Sequence, residues 1–294
     1  MEFWLGASFA GTHEYLDLAR AADRLGYSAV AVSDHIFYTD YDAPYPYSDT
    51  GAPPYKPDTH WPDVWVTIGA MAAVTERVRF ATNVYIAPAR DLFTVAKAVS
   101  TAAALSGDRV NLGLGVGWCK DEFLQTGQDF HTRGRRLDEM IPALRELWKG
   151  GMTEHHGTFY DYGPLSITPV PGKPVPIFIG GDSDAALRRT ARIADGWIGN
   201  RIYSEEQLED LLARLAALLA EHGRTLDDLE VIAPIAAMPS ADLYRKWADR
   251  GVTGTLAAPW WLASAEEKAA HGGDPLALKL ATMERFAAEV IAKI

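Results

Sequence analysis

Glycines follow an apolar run of the chain in a pattern that suggests ligand binding. Gly113, Gly115 and Gly117 lie in the stretch LGLGVGWCKDEF, directly behind strand-forming residues. The phosphate-binding turn of a dinucleotide fold needs a further glycine for close helix packing, and residues 120–122 (KDE) stand there instead. We therefore interpret these glycines as a strand end that a flat ligand can approach closely.

A pair of adjacent glycines, Gly180-Gly181, comes directly before Asp182 and Ser183 in the stretch FIGGDSDAALRR. Two glycines and a capping residue would open a helix whose first amide groups are free, and such amides can bind phosphate. The same residues also fit a tight turn between a strand and a helix, and the spacing alone does not choose between the two.

A metal site is not expected. His155 and His156 are adjacent in a segment with hairpin composition, so they would point to opposite faces of a strand and could not easily share one ion. Cys119 is the single cysteine, which leaves too few thiolates for a cysteine-based metal site and excludes an internal disulfide framework.

Composition narrows the class of protein further. The chain has 294 residues, of which 48% are hydrophobic and 23% charged, as in an ordinary globular protein with a large core. The net charge of -11 argues against a nucleic-acid partner. The N-terminus lacks the basic region of a signal peptide, and no apolar run approaches the roughly 20 residues of a membrane span. We expect a cytoplasmic protein with no membrane partner.

Strand-forming apolar runs alternate with helical periods along the chain, which indicates eight strand-then-helix units. The predicted strands cover residues 2–9, 28–33, 77–86, 109–115, 175–181, 195–200, 228–237 and 252–258. The main predicted helices cover residues 12–26, 63–75, 91–106, 182–194, 204–222, 240–250 and 275–292, with a further helix capped at Thr132. Near-continuous apolar strands between helices mean a parallel sheet covered on both faces. Eight units in this length fit an α/β fold of the (β/α)₈ barrel (TIM barrel) type better than an open sheet.

Three segments interrupt this rhythm within the single domain that we predict for residues 1–294. Residues 39–60 form a long stretch with five prolines and four tyrosines, which is either a mobile decoration or a lid with an aromatic wall. Residues 152–174 have hairpin composition, with the turn at Gly157 or Gly163. In residues 258–275, Trp260-Trp261 either lines a pocket or packs.

Four blocks of the sequence together resemble the luciferase-like monooxygenase family, in its branch of coenzyme F420-dependent oxidoreductases. They are AVSDHIF, the long block from ATNVYIAPAR to LQTG, RGRRLDEMIPALRELW, and PIFIGGDSDAALRRTARIADGWIG. The resemblance runs in order from residue 1 to about 200 and more loosely beyond. It implies a (β/α)₈ barrel with an insertion between the fourth helix and the fifth strand, a cofactor across the carboxyl ends of the strands, and a homodimer.

The resemblance also implies roles for individual residues. His35 would face the reacting side of the deazaflavin ring as general acid or base, unless it is only a strand-end histidine bonded to the backbone. The other implied cofactor-binding residues are Asp34 beside it, Thr82, Asn83 and Val84 with a cis peptide at Asn83-Val84, Val116, Gly117 and Trp118 at the mouth of the fourth strand, and Gly180-Gly181 as the phosphate turn.

One position departs from the family. In its deazaflavin-dependent sugar-phosphate dehydrogenases, a glutamate proposed as proton donor occupies the position of Trp118, which makes a sugar phosphate a poor candidate substrate here. The aromatic residue, the tyrosines of residues 39–60 and Trp260-Trp261 favour a hydrophobic or aromatic substrate.

We therefore expect an oxidoreductase that transfers a hydride between coenzyme F420 and a small organic substrate. An FMN-dependent monooxygenase of the same family is the alternative. A non-catalytic flavin-binding protein is the alternative of another class, and a sugar-phosphate barrel enzyme that binds phosphate after its last two strands is a further one.

Overall fold

Eight parallel strands close into a barrel in the computed structural model, which describes residues 1–40, 44–48 and 50–294. Two further strands form a separate antiparallel hairpin. In chain order the strands are β1 Glu2–Gly6, β2 Ala29–Val32, β3 Arg79–Thr82, β4 Val110–Leu114, β5 Thr153–His156, β6 Asp161–Leu165, β7 Ile177–Gly180, β8 Gly196–Ile198, β9 Glu230–Ile232 and β10 Gly254–Ala257. Around the barrel the order is β1-β10-β9-β8-β7-β4-β3-β2, and β2 pairs with β1. The predicted TIM barrel is confirmed.

Helices follow the barrel strands and cover the outside of the barrel. They are α1 Tyr15–Leu25, α2 Val64–Ala72, α3 Leu92–Ser106, α4 Lys120–Gln125, α5 Arg133–Leu147, α6 Asp184–Ile193, α7 Glu205–Ala220, α8 Ala241–Ala248, α9 Ala265–Ala270 and α10 Pro275–Glu289. Within the described ranges, none of these helices has the length and apolar character to cross a membrane.

The strands are apolar on both faces because both faces are buried. Phe3 and Leu5 pack outwards in the large cluster that includes the helices, whereas Trp4 belongs to the smaller cluster inside the barrel. There the Trp4 ring meets Phe178 edge-on, with centroids 5.1 Å apart. Val84 packs on the same inner cluster from the carboxyl end of the strands, so the interior is filled and any ligand must bind above it.

The observed strands are shorter than the predicted ones, because several runs leave the sheet before their apolar residues end. The run predicted for 77–86 stops pairing at Thr82, and Tyr85 makes a single bridge to Leu114. Between them lies a cis peptide at Asn83-Val84, as predicted.

The hairpin of residues 152–174 lies between α5 and the fifth barrel strand, β7, which confirms the predicted insertion. Its turn is at Gly157, whose amide donates to Tyr160, while Gly163 lies inside β6. Residues 258–275 are more regular than predicted, since they contain a short 3₁₀ helix, Pro259–Leu262, and α9.

The predicted lid of residues 39–60 has neither helix nor strand in its described part. Residues 41–43 and 49 lie outside the described residues, and with them one of the four tyrosines, Tyr41.

Candidate active site

The residues expected to bind a cofactor all lie at one end of the barrel. Asp34 and His35 follow β2, Asn83 and Val84 follow β3, and residues 116–118 follow β4. Gly180-Gly181 ends β7, which neighbours β4 in the sheet. Because parallel strands present their carboxyl ends at one rim, the fold brings these positions together at the mouth of the barrel.

Val84 lies at the centre of this mouth, and glycines that follow or end β4 and β7 make room for it. A Cβ atom added to Gly115 would lie 2.4 Å from one methyl group of Val84, and one added to Gly180 would lie 2.5 Å from the other. At Gly113 an added Cβ would meet the Thr82 carbonyl oxygen at 1.9 Å. These glycines accommodate the neighbouring strand first, and the platform that a flat ligand would meet is the Val84 side chain.

Asp34 anchors the start of the site by a buried ion pair. Its Oδ1 accepts from Arg90 Nη2 and its Oδ2 from Arg90 Nη1, both at 2.7 Å. Oδ2 also accepts from the backbone amide of Ile86 at 2.9 Å. The carboxylate therefore ties β2 to the chain that follows Val84, and the Arg90 guanidinium lies over the ring of Tyr85.

His35 is held by a carboxylate that the sequence analysis did not select. Its Nδ1 lies 3.0 Å from Oε1 of Glu122, a buried residue of α4, and the same oxygen accepts from the amide of Ile36 at 2.7 Å. Nε2 of the ring lies 3.2 Å from the hydroxyl of Tyr55. An ionised carboxylate can only accept, so this geometry requires the proton on Nδ1. The alternative in which His35 only bonds the backbone is not the arrangement observed.

Aromatic side chains surround the imidazole of His35. Ring centroids lie 4.9 Å from it for Trp61, 5.3 Å for Tyr55 and 6.0 Å for Trp118. Phe9, which follows β1, packs on Tyr55 and Trp61, and Tyr45 packs on Trp118. We call Phe9, Tyr45, Tyr55, Trp61 and Trp118 the aromatic cage.

The described part of the lid reaches across the mouth. The Tyr47 hydroxyl lies near the side chain of Asn200, which follows β8. Tyr47 is 42% exposed, and the partial burial of its hydroxyl raises its pKa, which the neighbouring Asn200 side chain opposes. The segment that leaves β2 thus contacts both sides of the rim.

The turn after β7 has free backbone donors. Gly181 has a φ of +105°, Ser183 caps α6 by accepting from the amide of Ala186, and in the described chain the amides of Asp182 and Ser183 have no acceptor. The Asp182 carboxylate is neutralised by Arg201, whose Nε donates to it at 2.7 Å. These amides can receive an anionic group despite the negative net charge.

The loop after β4 is fixed from α5. Gly117 has a φ of +80°, and its carbonyl accepts from Nε of Arg133 at 3.0 Å. Burial lowers the pKa of Arg133. Cys119 is buried, and burial raises the pKa of its thiol to about 11, so it is a packed thiol.

Other predicted candidates lie outside this constellation. His155 pairs with Glu139, whereas His156 pairs with Asp161, so the adjacent histidines take separate partners. Trp260 packs near Lys279, and Trp261 is 66% exposed. Throughout residues 1–40, 44–48 and 50–294, no three His, Cys, Asp or Glu side chains are grouped as metal ligands.

Sequence reasoning missed Glu122, Arg90, Trp61 and Phe9. One indication of Glu122 is present in the sequence: it lies next to the apolar Phe123 in a short helix that follows a strand. A carboxylate on a buried face is unusual and therefore indicates a specific partner. Nothing in the sequence indicated its partner, which lies 87 residues earlier.

Comparisons with known proteins identify the family of this chain. The profile of the luciferase-like monooxygenase family matches residues 4–287, and the chain belongs to that family. Rv0940c, an uncharacterized protein of Mycobacterium tuberculosis (strain H37Rv), is 36% identical over 285 residues, which are 95% of each chain. The F420-dependent glucose-6-phosphate dehydrogenase of Microbacterium testaceum is 32% identical over 76% of this chain and 63% of its own.

A solved structure agrees with the fold. The coenzyme F420-dependent tetrahydromethanopterin reductase of Methanopyrus kandleri superposes with a TM-score of 0.74 and 14% identity, over 99% of this chain and 98% of the other. Together with the family membership, these relatives make the protein an oxidoreductase that uses a deazaflavin or a flavin.

Proposed function

We propose that the protein uses coenzyme F420 to transfer a hydride between the deazaflavin and a small hydrophobic or aromatic organic substrate. The observation that carries this proposal is the hydrogen-bonded His35 inside the aromatic cage, directly at the mouth of the barrel. The similarity to a dehydrogenase named for F420 supports the choice of deazaflavin.

The residues at the mouth fit a ring with a phosphate-bearing tail. Val84 offers an apolar platform, and the free amides of Asp182 and Ser183 offer donors for the phosphate. Asn83, Val116, Gly117 and Trp118 follow β3 and β4 at the same rim, where they can contact the cofactor. When bound there, F420 supplies the hydride chemistry, while the protein orients the reactants and excludes water.

The substrate side of the site is apolar with one unused donor. The indole N–H of Trp61 is buried and has no acceptor in the described part of the chain. Since Trp61 contacts the imidazole of His35, this N–H can hold an acceptor atom of a substrate beside the proton-transfer group. Trp118 replaces the family's sugar-phosphate glutamate, which favours an uncharged organic substrate.

The deciding experiment is a titration of the purified protein with coenzyme F420 and with FMN, followed by the fluorescence of each cofactor. Micromolar or tighter binding of F420 alone is expected. A preference for FMN would move the protein to the oxygen-using branch, and binding of neither would refute the proposal. Binding of F420 without electron transfer to any acceptor would favour a protein that only sequesters the cofactor.

His35→Ala tests the role of the imidazole. We expect F420 binding within a few fold of wild type and loss of most turnover. Equal losses of binding and turnover would mean that His35 only holds the ring of the cofactor.

A homodimer in the cytoplasm completes the proposal. The neighbouring, alanine-rich helices α2 and α3 are the surface through which we propose the subunit contact. Light scattering of the purified protein measures the oligomeric state, and a monomer at micromolar concentration would contradict it.

A further inference from the structure

Three side chains from distant parts of the chain form a hydrogen-bonded line at the barrel mouth. Glu122 of α4 contacts Nδ1 of His35 at 3.0 Å, and Nε2 of His35 contacts the hydroxyl of Tyr55 at 3.2 Å. We infer that Tyr55 is the group that exchanges the proton with the substrate and that Glu122 is a positioning residue that fixes the tautomer of His35. This inference rests on the proposed hydride transfer.

The role of Glu122 follows from its hydrogen bonds. Its Oε1 is held by the amide of Ile36, so the oxygen that faces Nδ1 cannot turn away without breaking a backbone hydrogen bond. The side chain of Glu122 is 1% exposed, and water does not compete for this contact. The carboxylate therefore keeps the proton on Nδ1, and Nε2 of the neutral ring is left as an acceptor.

The role of Tyr55 follows from its place on the other ring nitrogen. The side chain of His35 is only 10% exposed, and the rings of Tyr55, Trp61 and Trp118 enclose it. The Tyr55 hydroxyl occupies the hydrogen-bonding position at Nε2, so a proton that leaves or reaches the imidazole on this side passes through that hydroxyl. This chain has no glutamate at position 118 that could act instead.

The proton and the hydride balance in this scheme. In the direction of substrate oxidation, the substrate carbon gives up the hydride, and the substrate O–H or N–H gives its proton to the Tyr55 oxygen. The Tyr55 O–H passes its own proton to Nε2 of the neutral His35, whose Nδ1 proton stays bonded to Glu122. Release of one proton from Nε2 to solvent returns His35 to the neutral ring. Substrate reduction runs the same transfers in reverse and begins with the uptake of one solvent proton at Nε2.

Nitrogen NMR of the cofactor-free protein tests the line without any substrate. In ¹⁵N-histidine-labelled wild type, the neutral ring of His35, assigned with His35→Gln, is expected as the Nδ1–H tautomer. Glu122→Gln retains an acceptor oxygen and is expected to keep this tautomer, whereas Glu122→Leu removes the acceptor and is expected to lose it. Tyr55→Phe is expected to shift the Nε2 resonance only.

Matched controls exist elsewhere in the chain. Glu139, in α5, also accepts from backbone amides and contacts a histidine, His155, which lies in the hairpin. Tyr160 has a buried hydroxyl without a partner among the described residues. Glu139→Leu and Tyr160→Phe are therefore expected to leave the resonances of His35 unchanged.

Turnover is measured with reduced F420 and cinnamaldehyde as the hydride acceptor. Tyr55→Phe is expected to lower kcat by about 10²-fold or more, with the Kd for F420 within a few fold of wild type. Glu122→Leu is expected to lower kcat with the same Kd, and Glu122→Gln to recover most of the rate. A Tyr55→Phe variant with the kcat of wild type would overturn the role of Tyr55.

The spectra separate this inference from the proposed function. An Nε2–H tautomer in wild type, or an unchanged tautomer in Glu122→Leu, would overturn the inference even if F420 binds and turns over. The expected spectra without any F420 binding would support the hydrogen-bonded line and refute the proposed function. If wild type binds F420 but does not reduce cinnamaldehyde, an unshifted Nε2 resonance in Tyr55→Phe would overturn the role of Tyr55, and an unchanged tautomer in Glu122→Leu would overturn that of Glu122.

Discussion

Asp34→Asn is expected to destabilise the protein strongly, because it breaks a buried ion pair on one side only. Both carboxylate oxygens of Asp34 accept from Arg90 at 2.7 Å, and one of them also accepts from Ile86. An asparagine keeps one acceptor oxygen but turns an NH₂ group toward the guanidinium. Removing one partner of a buried pair costs about 3–5 kcal/mol, a large part of the roughly 5–15 kcal/mol that stabilise a typical protein.

The assay is urea-induced unfolding followed by tryptophan fluorescence and far-ultraviolet circular dichroism. Asp34→Asn, Arg90→Met and the double variant form a cycle, in which the double variant should lose clearly less than the sum of the single losses, because neither charge is left unpaired. The exposed pair of Arg20 and Asp17, at 2.9 Å, is the control, and Arg20→Met should cost under about 1 kcal/mol. A loss for Asp34→Asn no larger than that of the control would refute the reasoning.

Three further predictions concern other parts of the structure. Gly180→Ala places a Cβ 2.5 Å from Val84, so we expect a loss of about 1–3 kcal/mol in urea unfolding and weaker F420 binding; unchanged values would mean that Val84 moves freely. Burial would raise the pKa of Glu139, but backbone amides and His155 lower it below its ordinary value. The stability difference between wild type and Glu139→Gln should therefore be complete at pH 7 and shrink as the pH falls below about 4, and a constant difference would contradict this. Cys119, with a pKa of about 11, should not react with Ellman's reagent at pH 8 until the protein is unfolded in guanidinium, and fast labelling of the native protein would show that the thiol is accessible.

The fold could be predicted from the sequence because its signals are local and repeated. Each apolar run before a helical period indicates one strand-helix unit, and eight such units allow few closed architectures. The ends of the strands were less predictable. The run of residues 77–86 is apolar throughout, and only its neighbours in space decide that pairing stops at Thr82.

The residues of the candidate site that belong to a sequence motif could be predicted, whereas those that act through a contact with a distant residue could not. Sequence resemblance selected His35 and the cis peptide at Asn83-Val84, and that peptide is present in the structure. Glu122 and Arg90 act through partners that lie 87 and 56 residues away along the chain. Such pairings depend on the geometry of the closed barrel, and one sequence without its structure does not contain them.

One oxygen of Glu122 fixes both the side chain of His35 and the backbone of Ile36, so the position of the histidine does not depend on the segment that follows it. Because the Ile36 amide and the His35 ring bond to the same atom of α4, the chain that leaves β2 is fastened to the β4 side before the lid begins. Exchanges within residues 39–54 are therefore expected to change what lies over the imidazole and to leave its position unchanged, whereas Tyr55, which contacts the other ring nitrogen, has to be kept. This attachment separates the placement of the histidine from the length and shape of the segment that covers it.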